Sequence, residues 1–375
     1  MKTHPSEALK TGRRAMLLSA GYGKGHHSAA QALAEELSRR GWRVVTLDAC
    51  AEAKPRTFRL TQRFYRFCVQ RMPRLWGVVY RMLDTVDWAQ LVHAPGIAAG
   101  LRELRARLLQ EKPDLVVCTY PLYAYMLDAL ARTGEFRAPY AIVVTDALAI
   151  SRAWVLPKAP LICLPDAYSL ATVSERYAPA PERLAATGFP VRAAFTPGER
   201  PIPGPRGEGL HIVYGAHAST ARMQADVKAL LQAWPNMAIT IPAEDRAGTL
   251  RRSLAPYSAQ VRVCGSEQSM AELLHTAHFY IGKAGGATMF EAYAARVPLL
   301  INYALPGQEE GNLRLLQRDG AGCYVGSARE LQHTLAALLA DSAAGWRRMC
   351  AAMATAARTG GAARTVDELE RRFFA

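Results

Sequence analysis

Residues 196–209 read TPGERPIPGPRGEG, Thr196 through Gly209, with four prolines and four glycines in the run. Such a segment can continue neither a helix nor a central strand, so it reads as an interdomain linker. On its amino-terminal side, apolar runs alternate with helical periodicity. Ala15 to Ala20, Arg43 to Leu47, Leu115 to Thr119, Tyr140 to Thr145 and Leu161 to Leu164 read as strands. Ser28 to Arg40, Ile97 to Gln110 and Leu122 to Arg132 read as helices. On the other side a fresh series starts at Leu210 to Tyr214. It continues through Ala238 to Ile241, Val261 to Cys264, Phe279 to Gly282 and Pro298 to Asn302, and ends in Ala-rich helices. The expected architecture is α/β, with two doubly wound Rossmann-like domains facing a central cleft. The boundaries expected are 1–196, a linker at 197–209, and 210–375, with the last helix free to pack back on the first domain.

The 375 residues are half hydrophobic and 21% charged, a composition that buries cores and excludes general disorder. The longest apolar candidate, Ala138 to Ile150, is short and contains Asp146, so no membrane-spanning helix is expected. Arg13-Arg14 precedes too brief an apolar stretch for a twin-arginine signal and reads as the edge of a first strand. Seven scattered cysteines without a Cys-x-x-Cys pair argue for a reducing compartment. A cytoplasmic location, peripheral on the inner face of the cell membrane, is the expectation.

The net charge is +14, and it concentrates in one window. Lys54 to Arg81 holds eight basic residues and no acidic one, interleaved with Phe58, Phe64, Tyr65, Phe67, Trp76 and Tyr80. Arg56, Arg59, Arg63 and Arg66, three and four apart, form a basic stripe on a helix; Phe64, Phe67 and Cys68 fall on another side. Arg59, Arg63, Arg66 and Trp76 are the candidate contacts to an anionic membrane surface. The competing reading is a solvated face with aromatics packed inward. Nucleic acid shares the electrostatics but is not the expected partner.

Three segments carry chemistry. Ser19-Ala20-Gly21-Tyr22-Gly23-Lys24-Gly25-His26 joins the first strand to the first helix. Glycines there expose backbone N–H groups, and the imidazole of His26 can take a proton from a hydroxyl. Gly282-Lys283-Ala284-Gly285-Gly286-Ala287-Thr288-Met289-Phe290-Glu291 is a strand end, a glycine turn and a helix start. It suits a diphosphate at the helix amino end and a ribose at the carboxylate. Leu305 to Asn312 offers Gln308, Glu309 and Asn312 at neighbouring helical positions, as sugar hydroxyls require. The alternative for both later segments is ordinary turn chemistry.

These motifs resemble glycosyltransferase family 28, within it the monogalactosyldiacylglycerol synthases and processive diacylglycerol glucosyltransferases. Gly23-Lys24-Gly25-His26 with Ala29, Ala30 and Leu33 is similar to the amino-terminal signature. Lys283 to Glu291 and Pro306-Gly307-Gln308-Glu309-Glu310-Gly311-Asn312 are similar to the carboxyl-terminal one. The resemblance implies the GT-B fold and inverting transfer of a hexose from a UDP-sugar to a diacylglycerol-type lipid hydroxyl. It implies no tightly bound cofactor and no metal. It assigns ribose to Glu291, diphosphate to Gly285, Gly286 and Thr288, and the sugar to Gln308, Glu309 and Asn312. His26 matches the histidine with a catalytic or acceptor-positioning role; as the expected base its rival or orienting partner is Asp146, and Gly23 and Gly25 line the acceptor side.

The chain departs from the family pattern near the expected cleft. Thr119-Tyr120-Pro121 stands where Thr-His-Pro is common, and Ser151 or Arg152 takes the place of a histidine between Val144-Thr145-Asp146 and Trp154. Tyr214-Gly215-Ala216-His217-Ala218 replaces a glycine-rich loop. Three alternatives stay open on sequence. They are a nucleotide-sugar-binding protein with altered catalysis, N-acetylglucosaminyl transfer to a lipid-linked precursor, and a UDP-N-acetylglucosamine 2-epimerase.

Overall fold

The computed structural model describes residues 12–375 except Gly23, 216–218, Glu244, Asp245, Ser266, Gln308 and Ala357. Eight helical side chains, of Lys24, Arg66, Gln70, Arg71, Pro73, Arg74, Arg81 and Leu83, also lie outside it. The expectations placed on Gly23, Gln308, the Arg66 side chain and Ala216-His217-Ala218 therefore fall outside the described residues. The chain divides into two compact units, Met1–Arg192 with Gly360–Ala375, and Ala193–Thr359.

The first unit runs β1 (Arg14–Leu18), α1 (Lys24–Arg39), β2 (Arg43–Leu47), α2 (Ala49–Ala53), α3 (Pro55–Arg71), α4 (Pro73–Leu83), α5 (Trp88–Leu91), α6 (Pro95–Glu111), β3 (Leu115–Cys118), α7 (Pro121–Arg132), β4 (Tyr140–Val143), β5 (Leu161–Leu164), α8 (Ala167–Tyr177) and β6 (Leu184–Ala186). Its six strands are parallel in the order β2-β1-β3-β4-β5-β6. Ala15 stands beside Val44 on one side and Leu115 on the other. Every residue of β3, β4 and β5 is buried. That follows from their unbroken apolar sequences, which suit strands covered on both faces. Chain order reverses between β1 and β3, and the loops after these two strands flank the crevice where such sheets bind ligands.

The second unit runs β7 (His211–Tyr214), α9 (Thr220–Ala233), β8 (Ala238–Pro242), α10 (Ala247–Ser253), β9 (Val261–Cys264), α11 (Met270–Thr276), β10 (Phe279–Lys283), α12 (Gly286–Ala295), β11 (Leu299–Tyr303), α13 (Glu310–Arg318), β12 (Gly322–Tyr324) and the kinked α14 (Ala328–Ala356). Its parallel order is β12-β11-β10-β7-β8-β9. This is the dinucleotide-fold arrangement, with its reversal between β7 and β10. The Pro- and Gly-rich run at 196–209 is held within this unit. The Arg200 guanidinium donates to the carbonyls of Leu274, Ala295 and Arg296, and His278 Nε2 lies 2.9 Å from the Pro201 carbonyl.

The last helix, α15 (Gly361–Phe373), belongs to the first unit. Val366 and Leu369 join Leu33 and Leu37 of α1 in one core layer over the sheet. Arg40 bridges to Asp367 and Glu370, and the Trp42 indole donates to Glu370. Among the described residues no helix is long and apolar enough to cross a membrane.

Candidate active site

In the first unit the turn after β1 delivers His26 to the third position of α1. The turn is tied down from two sides. Gly21 N–H donates to Asp48 Oδ2 at 3.1 Å, and Gln62 of α3 donates to the Gly21 carbonyl at 3.0 Å. A Cβ on Gly21 would lie 2.1 Å from Gln62 Nε2, so any larger residue there would displace the Gln62 amide from this turn. Asp48 also accepts from Ala51 N and Tyr123 Oη, which fixes the start of α2 to the same corner. Gly25 lies in the first turn of α1, beside His26.

His26 Nδ1 lies 2.8 Å from Thr145 Oγ1, just beyond β4. Thr119, just beyond β3, donates its hydroxyl to the His26 carbonyl at 3.1 Å. The imidazole sits edge-on to Tyr120 at 5.1 Å and near the Trp154 ring at 6.0 Å. Desolvation among these rings pushes its pKa down to about 4, against the opposing effect of a hydrogen bond that the ring donates to the Thr119 backbone carbonyl. The ring is therefore neutral at pH 7. With Nδ1 engaged by Thr145, Nε2 is the nitrogen left to exchange a proton with a ligand. Asp146 accepts from the Trp154 indole at 3.0 Å and so sets that ring beside His26.

Ser151, one of the two residues expected in a histidine's place, has a structural task here. Its hydroxyl donates to Asp84 Oδ1 at 2.6 Å and caps the short turn at 152–154 by accepting from Ala153 N. Asp84 also accepts from Arg152 N. Tyr120, in place of the other family histidine, stacks on Tyr22 at 5.7 Å. Tyr22 meets Phe58 and Tyr65 of α3, and Tyr65 meets Trp76 of α4. Trp76 thus ends a line of rings that begins at His26.

The helices α3 and α4 carry that line outward. Phe58 and Cys68 of α3 are buried, whereas Leu60, Phe64 and Phe67 are exposed at helical spacing. The packing-inward alternative is corrected for Phe64 and Phe67, which are 66% and 52% exposed. Arg56, Arg59 and Arg63 are exposed along an adjacent stripe. Leu75, Val78 and Met82 of α4 form a second exposed apolar stripe.

In the second unit β10 ends at Lys283, and Gly285 precedes α12 as a cap without a side-chain hydrogen bond. The first N–H groups of α12, from Gly286 onward, carry the helix's positive end. Thr288 stands in its first turn, and the buried Glu291 lies one turn on, over the same face. Asn312 and Glu309 approach from the neighbouring connection. The Asn312 amide donates to the Ala284 carbonyl at 2.9 Å, bracing the β10 turn. Glu309 accepts from Leu305 N at 3.0 Å and from Lys283 Nζ at 2.7 Å. Both residues thus have internal partners, and the cation that Glu309 orients, Lys283, lies against Gly285. Sequence reading passed over Lys283 as a functional group, although its place at a strand end before two glycines was a usable signal.

Beneath this turn Tyr214 donates to Asp226 at 2.5 Å, Asn302 donates to Tyr214 Oη, and Arg222 pairs with Asp226 at 2.7 Å. The network joins β7, α9 and β11 around the switch point, and the Arg222 guanidinium extends it to the Val325 and Gly326 carbonyls. A Cβ on Gly215, the first residue after β7, would meet Tyr280 Oη at 2.1 Å. Among the described residues no cluster of three or more His, Cys, Asp or Glu side chains is arranged for a metal ion.

A family model for monogalactosyldiacylglycerol (MGDG) synthase matches residues 26–191, which begin at His26 itself. Over that segment the chain is similar to the monogalactosyldiacylglycerol synthases. It is 26% identical to a processive diacylglycerol beta-glucosyltransferase of Bacillus subtilis, over 89% of this chain and 88% of that protein. It is likewise 26% identical to the Bacillus cereus protein of that name, over 88% and 86%. Family and relatives together indicate a transferase.

Solved structures share the fold. MurG of Acinetobacter baumannii has TM-score 0.58 at 18% identity, over 96% of this chain and 99% of that one. The UDP-GlcNAc 2-epimerase of Neisseria meningitidis, bound to UDP-GlcNAc, has 0.60 at 11% identity, over 96% and 100%. Both six-stranded parallel sheets agree with the GT-B architecture expected from the sequence.

Proposed function

We propose that this protein is an inverting glycosyltransferase that moves a hexose from a UDP-sugar to the hydroxyl of a diacylglycerol-type lipid. The observation that carries the reading is the position of both signatures at the switch points of their sheets, where open α/β sheets receive ligands. The relatives named for diacylglycerol transfer support the acceptor class, and a neighbour bound to UDP-GlcNAc fits a UDP-sugar donor.

In this reading the diphosphate lies against Gly285, Gly286 and the amino end of α12, with Thr288 in the same turn. Backbone N–H groups and the helix end stabilise the charge that gathers on departing UDP, with little reorganisation. Lys283, oriented by Glu309, adds the cation. Glu291 accepts from the ribose hydroxyls, and Gln308 and Asn312 border the sugar. The acceptor oxygen attacks the anomeric carbon as the bond to UDP breaks, and the acceptor proton passes to His26 Nε2. Thr145 holds the ring through Nδ1, and the low pKa keeps it unprotonated and ready at neutral pH. Asp146 serves by fixing Trp154.

The lipid arrives from an anionic membrane at the inner face of the cell. The apolar stripes of α3 and α4 enter the headgroup zone while Lys54, Arg56, Arg59 and Arg63 meet lipid phosphates. The test is incubation of purified protein with a panel of labelled UDP-sugars and vesicles containing diacylglycerol and an anionic lipid. Label in the extracted lipid is the expected result. Absence of labelled lipid with every sugar would overturn the reading.

A further inference from the structure

One polar atom beside the first unit's site has no use in the folded chain. The Tyr80 hydroxyl oxygen is closed off from solvent and has no hydrogen-bond partner among the described residues. Neighbouring phenols are accounted for. Tyr22 pairs with Thr61, Tyr123 with Asp48, Tyr140 with Asp128, and Tyr177 with the Ile150 carbonyl. Tyr125 Oη is also unpartnered, but its ring lies on Trp88 and its strongest charged neighbour is Arg152. The strongest charged neighbour of Tyr80 is Asp146, the carboxylate that holds Trp154 beside His26, followed by Asp84. Burying a hydroxyl without a partner is costly, so this one calls for a partner the folded chain does not supply, a water or a ligand that displaces what covers it.

The helix that bears it makes the assignment more specific. On α4, Leu75, Val78 and Met82 form the exposed apolar stripe. Trp76 and Tyr80, one turn apart, fall on another face, and Trp76 packs on Tyr65 in the line of rings leading to His26. One short helix therefore offers an apolar outer face for acyl chains and, on its inner side, a phenol that can donate or accept one hydrogen bond.

We propose that the Tyr80 hydroxyl is an acceptor-binding group: it hydrogen-bonds the polar glycerol head of the lipid beside Asp146 and brings the lipid hydroxyl within reach of His26. The inference rests on the lipid-transfer reading above and adds to it the residue that grips the acceptor. Tyr80→Phe removes only the orphan oxygen, so its thermal midpoint is expected to equal or exceed that of wild type, and UDP binding to be unchanged. With dioctanoylglycerol as acceptor its KM should rise roughly five- to thirtyfold, while the KM for the UDP-sugar stays put. A lowered thermal midpoint would show that the hydroxyl is partnered in the fold and would overturn the proposal. An acceptor KM equal to wild type, in an assay where wild type turns over, would overturn it alone. No lipid product from wild type would remove the underlying reading and this inference with it.

Discussion

The two switch-point crevices are built from opposite materials. The one in the first unit is walled by Tyr22, Tyr120 and Trp154 around a single imidazole, and desolvation there lowers the His26 pKa to about 4. In the second unit the β10–α12 turn is glycine, a helix end without a side-chain cap and a charge pair, Lys283 with Glu309, braced from below by Asn302, Tyr214, Asp226 and Arg222. The first environment excludes water from a proton acceptor; the second presents fixed dipoles and a cation to an anion. The proposed division of labour between acceptor and donor rests on that contrast, and each half should be open to damage without the other.

The largest effect is expected at the imidazole. His26→Ala should lower kcat by about two to four orders of magnitude, the range general base catalysis supplies, with UDP affinity held. Next comes the donor side: Glu291→Ala and Lys283→Met should each raise the KM for the UDP-sugar roughly ten- to hundredfold, since hydrogen bonds to charged groups are worth about 1.5–3 kcal/mol. A comparable change in the acceptor KM would break the contrast. Replacing both Arg59 and Arg63 by Gln should weaken sedimentation with anionic vesicles about thirtyfold, at about 1 kcal/mol per charge, and leave binding of UDP intact. Thr145→Val should cost about tenfold in kcat by freeing the ring that it orients.

A separate effect is on the pH dependence of stability. The folded pKa of His26 lies below the usual 6.5 of an unfolded chain, so between about 4 and 6.5 the unfolded state holds more protons. Stability therefore rises with pH in that window and is lost on acidification through it. Thermal midpoints of His26→Gln should fall less steeply than wild type from pH 6.5 to 4; parallel curves would contradict the desolvated ring.

The sequence made the central strands readable because burial on both faces leaves apolar runs such as Leu115 to Cys118 and Leu161 to Leu164. Leu184–Ala186 and Gly322–Tyr324 escaped notice: three residues at a sheet edge carry no periodicity. The glycine turns and His26 were legible because turn chemistry is local. The Thr145–His26 contact spans 119 positions and the Lys283–Glu309 pair 26, and no local pattern encodes which of two nearby polar residues will close such a bond. For the same reason Asp146 was a plausible orienting partner on sequence, whereas the fold gives Nδ1 to Thr145. Exposure of Phe64 and Phe67 likewise depends on what covers α3, and helical spacing alone was compatible with either side.

Calorimetric titration of UDP into wild type, His26→Ala and Glu291→Ala tests the assignment of the donor to the second unit most directly. The account predicts equal binding to the first two and at least about tenfold weaker binding to the third. No heat with wild type, or a loss of affinity in His26→Ala matching that in Glu291→Ala, would contradict it.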